Sequence, residues 1–381
     1  MSSGDGRIMR RGAFIYEDAM SRHVLREDHV FIPARLRYTY ELLERYGAFQ
    51  VENSRLVKPR RATDEEVLTF HTADYVAAVK GFSRGESLVD PTTYNFSDAG
   101  DNPTYPGMYE AATLVVGGSL VASDLLMDGA ADVAFNASGG LHHAAPGNTS
   151  GFCVFNDAVI AIKHMVDKGL RVAYVDIDVH HGDGVQNAFY NTDSVLTISV
   201  HESGRFIFPG TGFTDELGED VGRGYAVNLP LAPYTDDQVY LEAFRQVAPP
   251  LVRAFRPDIL VTQLGIDTYH SDPLGHLNIT TQGYLDAIGE LAGLSDRWLA
   301  LGGGGYNVGA VARCWALAYG LMIEREWPNE IPAEYRGPYG STLLRDGDGP
   351  RLEGRQREEA RAFAQQSVDE IKLKVFPIHG L

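Results

Sequence analysis

Three carboxylates and two imidazoles fall within the eight residues 176–183, Asp-Ile-Asp-Val-His-His-Gly-Asp, directly after the apolar run 172–175. If this run is a strand, Asp178 and His180 are two apart and point to the same side. A carboxylate and an imidazole so placed suit a borderline cation such as Zn²⁺. A buried acidic cluster without a compensating cation is costly, so metal chemistry is the expectation here.

Three further constellations answer the first. His142 and His143 lie in Ser-Gly-Gly-Leu-His-His-Ala, residues 138–144, past the apolar run 131–137. Asp267 closes Gln-Leu-Gly-Ile-Asp, residues 263–267, after Ile259, Leu260 and Val261. Tyr306 follows four glycines, residues 302–305, after Trp298, Leu299 and Ala300. Polar groups at the carboxyl ends of several strands are how open parallel sheets build active sites. Adjacent imidazoles diverge on an extended backbone, so both face one point only through a turn, which Gly139 and Gly140 permit. Each also needs a partner for its second nitrogen; Asp176 and Asp183 are the available carboxylates.

The elements that must position these groups are legible as apolar runs near 12–16, 131–137, 171–177, 195–200, 258–264 and 297–301, which read as strands. Helical patterns lie between several of them, as at 156–168 and 235–255. Such alternation predicts an α/β fold, an open parallel sheet with helices on both faces and the site at the carboxyl ends of its strands. The long irregular stretches 81–107 and 201–224 are expected to form an active-site rim. Gly-Asp-Gly-Pro at 347–350 precedes a charged final helix, 351–374, expected to pack on the core or on a partner subunit. The whole chain, 1–381, is expected to be one domain, with a catalytic core of about 10–325 and a C-terminal helical extension of about 345–381.

Composition narrows the partners. A formal net charge of −18 argues against direct nucleic-acid binding, though basic protein tails would be attracted. Two cysteines, Cys153 and Cys314, imply no disulfide framework and a reducing compartment; both read as packing residues. The first seven residues carry no apolar stretch of signal-peptide type. The longest apolar candidate for a span, 111–127, contains Gly117, Gly118, Ser119 and Asp124 and reads as a buried helix. A cytoplasmic protein without membrane contact is expected.

Together these motifs resemble those of the zinc-dependent histone deacetylase family, class I-like and most similar to its prokaryotic acetoin-utilisation branch. The similarity runs from Ile-Pro-Ala-Arg at 32–35 through Phe-His-Thr-Ala-Asp-Tyr at 70–75 and Gly-Phe-Cys at 151–153 to Tyr306. The resemblance implies hydrolysis of Nε-acetyl-lysine in proteins by metal-activated water, with Asp178, His180 and Asp267 as ligands of one Zn²⁺. It pairs His142 with Asp176 and His143 with Asp183, makes His143 general base and then acid, and has Tyr306 polarise the carbonyl. Gly151, Phe152 and Phe208 match walls of an acyl-lysine tube, Leu274 its mouth, Gly304 a substrate contact, and Asp101 a rim aspartate. Arg35 matches a basic residue near an internal acetate channel, a surface salt bridge being the alternative; His71 and Tyr75 read as structural. K⁺ or Na⁺ is implied at Asp176, Asp178, His180, Ser199 and Val200, and at Phe189, Thr192, Val195 and Tyr225.

The implied partner is an acetylated protein, an acyl-CoA synthetase being the candidate, with a homo-oligomer also envisaged. A binuclear manganese ureohydrolase is disfavoured because the run from Asp178 to Asp183 is one residue too long for its Asp-x-His-x-Asp pattern. An acetylpolyamine deacetylase and a catalytically silent acyl-lysine binder are the alternatives kept.

Overall fold

The computed structural model describes residues 9–22, 24–86, 89–336, 341–347 and 349–381. Eight short strands among them pair into one parallel sheet: β1 (Gly12–Ile15), β2 (Ser54–Val57), β3 (Val133–Asn136), β4 (Val172–Asp176), β5 (Val195–Glu202), β6 (Ala226–Leu231), β7 (Ile259–Gln263) and β8 (Trp298–Leu301). Their order is β2-β1-β3-β8-β7-β4-β5-β6. Every residue of β3, β4, β5, β7 and β8 is buried. Burial on both faces explains why these strands read as continuous apolar runs rather than alternating ones.

The register ends six strands on one rung, where Val57 pairs with Ile15 and Ile15 with Asn136, while β5 crosses that rung at Ser199 and runs three residues further. Asn136 pairs with Leu301, Leu301 with Gln263, Gln263 with Asp176, and Asp176 with Ser199. All four polar constellations lie at or just beyond this rung. Two strands were not expected from the sequence. β2 is a four-residue edge strand with two exposed residues and no alternation. β6 carries Asn228 and Pro230, which break the apolar pattern; it is an edge strand, where proline is tolerated.

The helices are α1 (Ala34–Arg45), α2 (Asp64–Val67), α3 (Ala73–Ser83), α4 (Met108–Met127), α5 (Asp157–Val166), α6 (Asp183–Ala188), α7 (Asp237–Phe255), α8 (Thr281–Leu291), α9 (Val308–Met322) and α10 (Gly354–Lys374). One layer packs α1, α9, α8 and α7 side by side; the other packs α3, α4 and α5. Several helices begin at once after a site loop and are capped by its last polar residue. Asn156 accepts the Val159 N–H, Asn307 that of Ala310, and Asp236 that of Val239. α4 is apolar and long enough to cross a membrane, but 61% of its apolar window is buried within the protein.

The final helix, rich in charge, covers the core of its own chain. Ala364, Val368 and Ile371 join the main apolar cluster, and the Ser367 hydroxyl donates to the Pro230 carbonyl at 2.9 Å. The first seven residues, expected to hold no signal peptide, lie outside the described residues, as does Asp348 of the break before α10.

Candidate active site

Asp176, the last residue of β4, is wholly buried. Its carboxylate accepts the Tyr174 hydroxyl at 2.6 Å and the Asp178 N–H at 3.1 Å, and it bonds His142 Nδ1 at 2.8 Å. Asp178 and His180 are not on the strand, as the sequence suggested, but in the bends that follow. Ile177 makes a last sheet-like bond to Gln263, then Asp178 Oδ1 accepts the His180 N–H at 3.0 Å. An aspartate bonding its own backbone two residues on makes a local turn, and that turn rather than strand alternation aims both side chains one way. Asp178 Oδ2 accepts Gln263 Nε2 at 2.7 Å and the Gly304 N–H at 2.8 Å. Asp267 is held through the Val179 N–H at 2.8 Å.

His180 Nδ1 then faces Asp178 Oδ1 at 3.1 Å and Asp267 Oδ2 at 3.2 Å. These three buried residues present ligand atoms that all lie within 4.8 Å of one another. Burial, with the Asp178 charge beside it, pushes the Asp267 carboxyl up to about 8. Burial also opposes a charged His180, yet its bonds to Asp178 and Asp267 outweigh this and raise it to about 10. Two crowded carboxylates and one imidazole, all buried, with Asp178 and His180 lining a cavity, are a donor set that a divalent cation relieves, and the set fits Zn²⁺ in ligand type.

The histidine pair sits on a turn clamped from below. Asp157, buried at the start of α5, accepts the Ser119 hydroxyl at 2.5 Å and the N–H groups of Gly140 at 3.1 Å and Leu141 at 2.9 Å. Gly140 takes φ +87°, where a side chain would be strained. The rings of His142 and His143 lie 4.0 Å apart, and His143 Nδ1 bonds Asp183 at 2.7 Å. Their environments push them apart. Burial disfavours charge on His142, but Asp176 and Asp178 prevail and raise it to about 9. Burial and the neighbouring His142 charge lower His143 to about 4.

Tyr306 is aimed by Asp272, which the sequence did not single out, and by Arg35, which it did. Its N–H donates to Asp272 at 2.7 Å, and the Arg35 guanidinium donates to the carbonyls of Gly305 at 2.7 Å and Gly303 at 2.8 Å. Arg35 is buried beneath Phe31 and beside Trp315, so the surface salt bridge is excluded. Burial drives the Tyr306 phenol well above its ordinary range, which keeps it a proton donor. A Cβ on Gly304 would strike the carboxylates of Asp267 and Asp178. The glycine run lets the backbone cross directly over the acidic trio.

Phe152 packs edge-on to Tyr306, centroids 5.7 Å apart, and Phe208 packs edge-on to His143 at 4.9 Å. Gly151 and Phe152 both have positive φ, and the Phe152 N–H donates to Asn102 at 2.8 Å. Asp101 is exposed beside Asn102, and its carbonyl bonds the His29 ring at 3.1 Å. Leu274, half-buried, donates its N–H to Asp272. Phe31, Leu141, Cys153, Gly304 and Tyr306 line a cavity with both histidines of the pair.

Other expected positions are less telling. Ser199 bonds His201 through its hydroxyl at 2.8 Å, and Val200 is buried in β5. The carbonyls of Phe189 and Tyr225 bond the N–H groups of Thr192 and Thr197, and Val195 opens β5. His71 and Tyr75 are buried and bonded to backbone, in keeping with a structural role.

A parallel sheet with an Asp-His-Asp trio, a carboxylate-paired histidine couple and a glycine-borne tyrosine defines a class of metal-dependent hydrolases, and comparison with known proteins agrees. Residues 29–322 match the histone deacetylase domain. An acetoin utilization protein, AcuC, of Bacillus subtilis (strain 168) is 40% identical over 335 residues, covering 86% of each chain. The type-1 histone deacetylase 1 of Dictyostelium discoideum is 36% identical over 341 residues, covering 86% of this chain and 67% of that protein. The crystal structure of an HDAC homolog complexed with SAHA superposes with a TM-score of 0.85 at 29% identity, covering 94% of this chain and all of the other. The chain belongs to the histone deacetylase family and is an amidohydrolase.

Proposed function

We propose that this protein is a zinc-dependent lysine deacetylase acting on acetylated proteins, an acyl-CoA synthetase being the candidate substrate. The observation that carries the reading is the pair of touching histidines, each with its own carboxylate, beside a buried Asp-His-Asp trio. Asp178, His180 and Asp267 would hold the zinc. When bound, that ion polarises an acyl carbonyl and makes water acidic near neutral pH.

The protein's own groups do the rest. His143, neutral and with Nδ1–H committed to Asp183, has Nε2 free to take the proton from attacking water. The same nitrogen returns the proton to the lysine amine as the carbon–nitrogen bond breaks, leaving acetate. His142, with Nδ1 held by Asp176 at 2.8 Å, would supply positive potential beside the developing oxyanion. Tyr306 donates its hydroxyl hydrogen to the same oxygen. Gly151, Phe152 and Phe208 line the path of the lysine methylenes, with Leu274 at its mouth, and Asp101 accepts from the substrate backbone. The same proposal includes K⁺ or Na⁺ at the two carbonyl-rich sites, a single deacetylase domain over 1–381 and a cytoplasmic location; the family match at 29–322 supports the middle of that domain.

The test is acetate release by zinc-loaded protein from an acetyl-lysine peptide and, in parallel, from acetylputrescine. Turnover of the peptide that is abolished by a chelator and by His143→Ala supports the reading. Preference for the diamine replaces it with a polyamine deacetylase, and silence on both with an acyl-lysine binder.

A further inference from the structure

The loop that carries Leu274 is fastened beyond anything the reaction at the metal centre requires. Glu202, at the end of β5, is completely buried, and its carboxylate bonds His276 twice: the backbone N–H at 3.0 Å and the ring Nδ1 at 2.9 Å. The Glu202 N–H in turn donates to the carbonyl of Val179, between Asp178 and His180, at 2.9 Å. Gly275 lies against the Val179 side chain. His276 is therefore braced, through Glu202, on the turn that bears Asp178 and His180, yet half of its side chain faces solvent.

The His276 carbonyl accepts the N–H of Tyr234 at 2.6 Å. Tyr234 sits just past β6 in the left-handed region, φ +64°, with its ring more than half exposed. A bulky residue there is uncommon and persists only where surrounding bonds over-determine it. They do: Asn278 Nδ2 donates to the Tyr234 carbonyl at 3.1 Å, and the Asn278 N–H donates to Thr235 at 2.9 Å. Asp236, which bridges to Asn278, caps α7. The Tyr234 and His276 rings stand 6.4 Å apart at 62°. The backbone beneath this exposed side chain is thus tied to the loop that carries Leu274, and the ring is too exposed to serve the core.

We propose that Tyr234 is a specificity-determining residue: a fixed platform, set by His276 and Glu202, for an apolar side chain that flanks the acyl-lysine in a protein substrate. The inference rests on the lysine-deacetylase reading and adds to it which neighbours the enzyme prefers. A rigid aromatic ring loses little freedom when another apolar group packs on it, which makes it an economical recognition element. A free acetylated diamine carries no such neighbour and has no use for the platform.

The test uses zinc-loaded full-length protein and acetyl-lysine peptides in which phenylalanine replaces glycine at each neighbouring position in turn, with Nε-acetyl-lysine amide as the control lacking neighbours. One phenylalanine position is expected to lower KM about tenfold, with kcat unchanged. Tyr234→Asn, whose side chain tolerates the left-handed backbone, should erase that preference while leaving the control substrate untouched. Tyr234→Phe should keep it, and His276→Ala should weaken it. Absence of any preference in the native protein, or its survival in Tyr234→Asn, overturns the platform and leaves the deacetylase reading standing. Failure of the native protein on every acetyl-lysine substrate overturns both.

Discussion

The carboxylate of Asp272 accepts the backbone N–H of Tyr306 at 2.7 Å. The same oxygen takes the Asn307 N–H at 3.1 Å, and the other takes that of Leu274 at 3.0 Å. One buried side chain thus sets both the backbone of Tyr306 and that of Leu274. Asp272→Ala is expected to lower kcat roughly tenfold to hundredfold through Tyr306 alone, because part of an oxyanion donor's contribution is lost when it is misaimed. Steady-state kinetics checks this, with Tyr306→Phe as background: in that variant the added Asp272 change should cost little more, since the two act through one group.

Removal of the metal should be visible without any assay of turnover. Asp267→Ala is expected to lose stoichiometric zinc by elemental analysis. Chelation of the native protein should lower Tm by roughly 5 °C relative to protein in zinc about a thousandfold above Kd. Zinc retained in Asp267→Ala would remove Asp267 from the ligand set.

Acid should attack the fold at His71. Its Nδ1 lies 3.3 Å from the Pro146 carbonyl while its Nε2 accepts the Asn156 N–H at 3.0 Å, so the ring is neutral. Burial depresses its pKa from 6.5 to about 4. The unfolded chain therefore takes up this proton first as pH falls below 6.5, and stability is lost progressively down to about 4, by about 3 kcal/mol in all. Urea unfolding of metal-free protein at a series of pH values should show a shallower decline across this window in His71→Gln.

Arg35 holds the glycine run from beneath. Arg35→Met leaves the carbonyls of Gly303 and Gly305 without their buried donor and is expected to destabilise the fold by about 2–4 kcal/mol. Arg35→Lys, a single point donor in place of a planar fork, should recover less than half of that. Urea midpoints measure the loss, and faster amide exchange at residues 303–306 would locate it.

The groups proposed to meet a metal and the substrate were legible in the sequence because their chemistry restricts residue type within short windows. Asp178, His180 and Asp267 converge as expected, though through a turn rather than a strand face. The supporting carboxylates were not legible. Asp272 reaches Tyr306 across 34 residues and Asp157 reaches Gly140 across 17, and neither belongs to a repeated spacing. The one available signal was a lone aspartate, Asp157, at the head of the apolar stretch 158–162. The central strands were visible as apolar runs; the two edge strands were not, because an edge is only partly buried or admits proline, as β2 and β6 do.

The strand order separates two tasks in space. The atoms proposed to make and break bonds hang from β3, β4, β7 and β8, neighbours at the middle of the sheet, whereas Glu202 and Tyr234 hang from β5 and β6 at one flank. On the proposed reading, substitutions at Tyr234 would alter which neighbours of a lysine are welcome, whereas changes at Glu202 would also reach the turn of Asp178 and His180. Client choice and bond-breaking chemistry would then be set by different strands of one sheet.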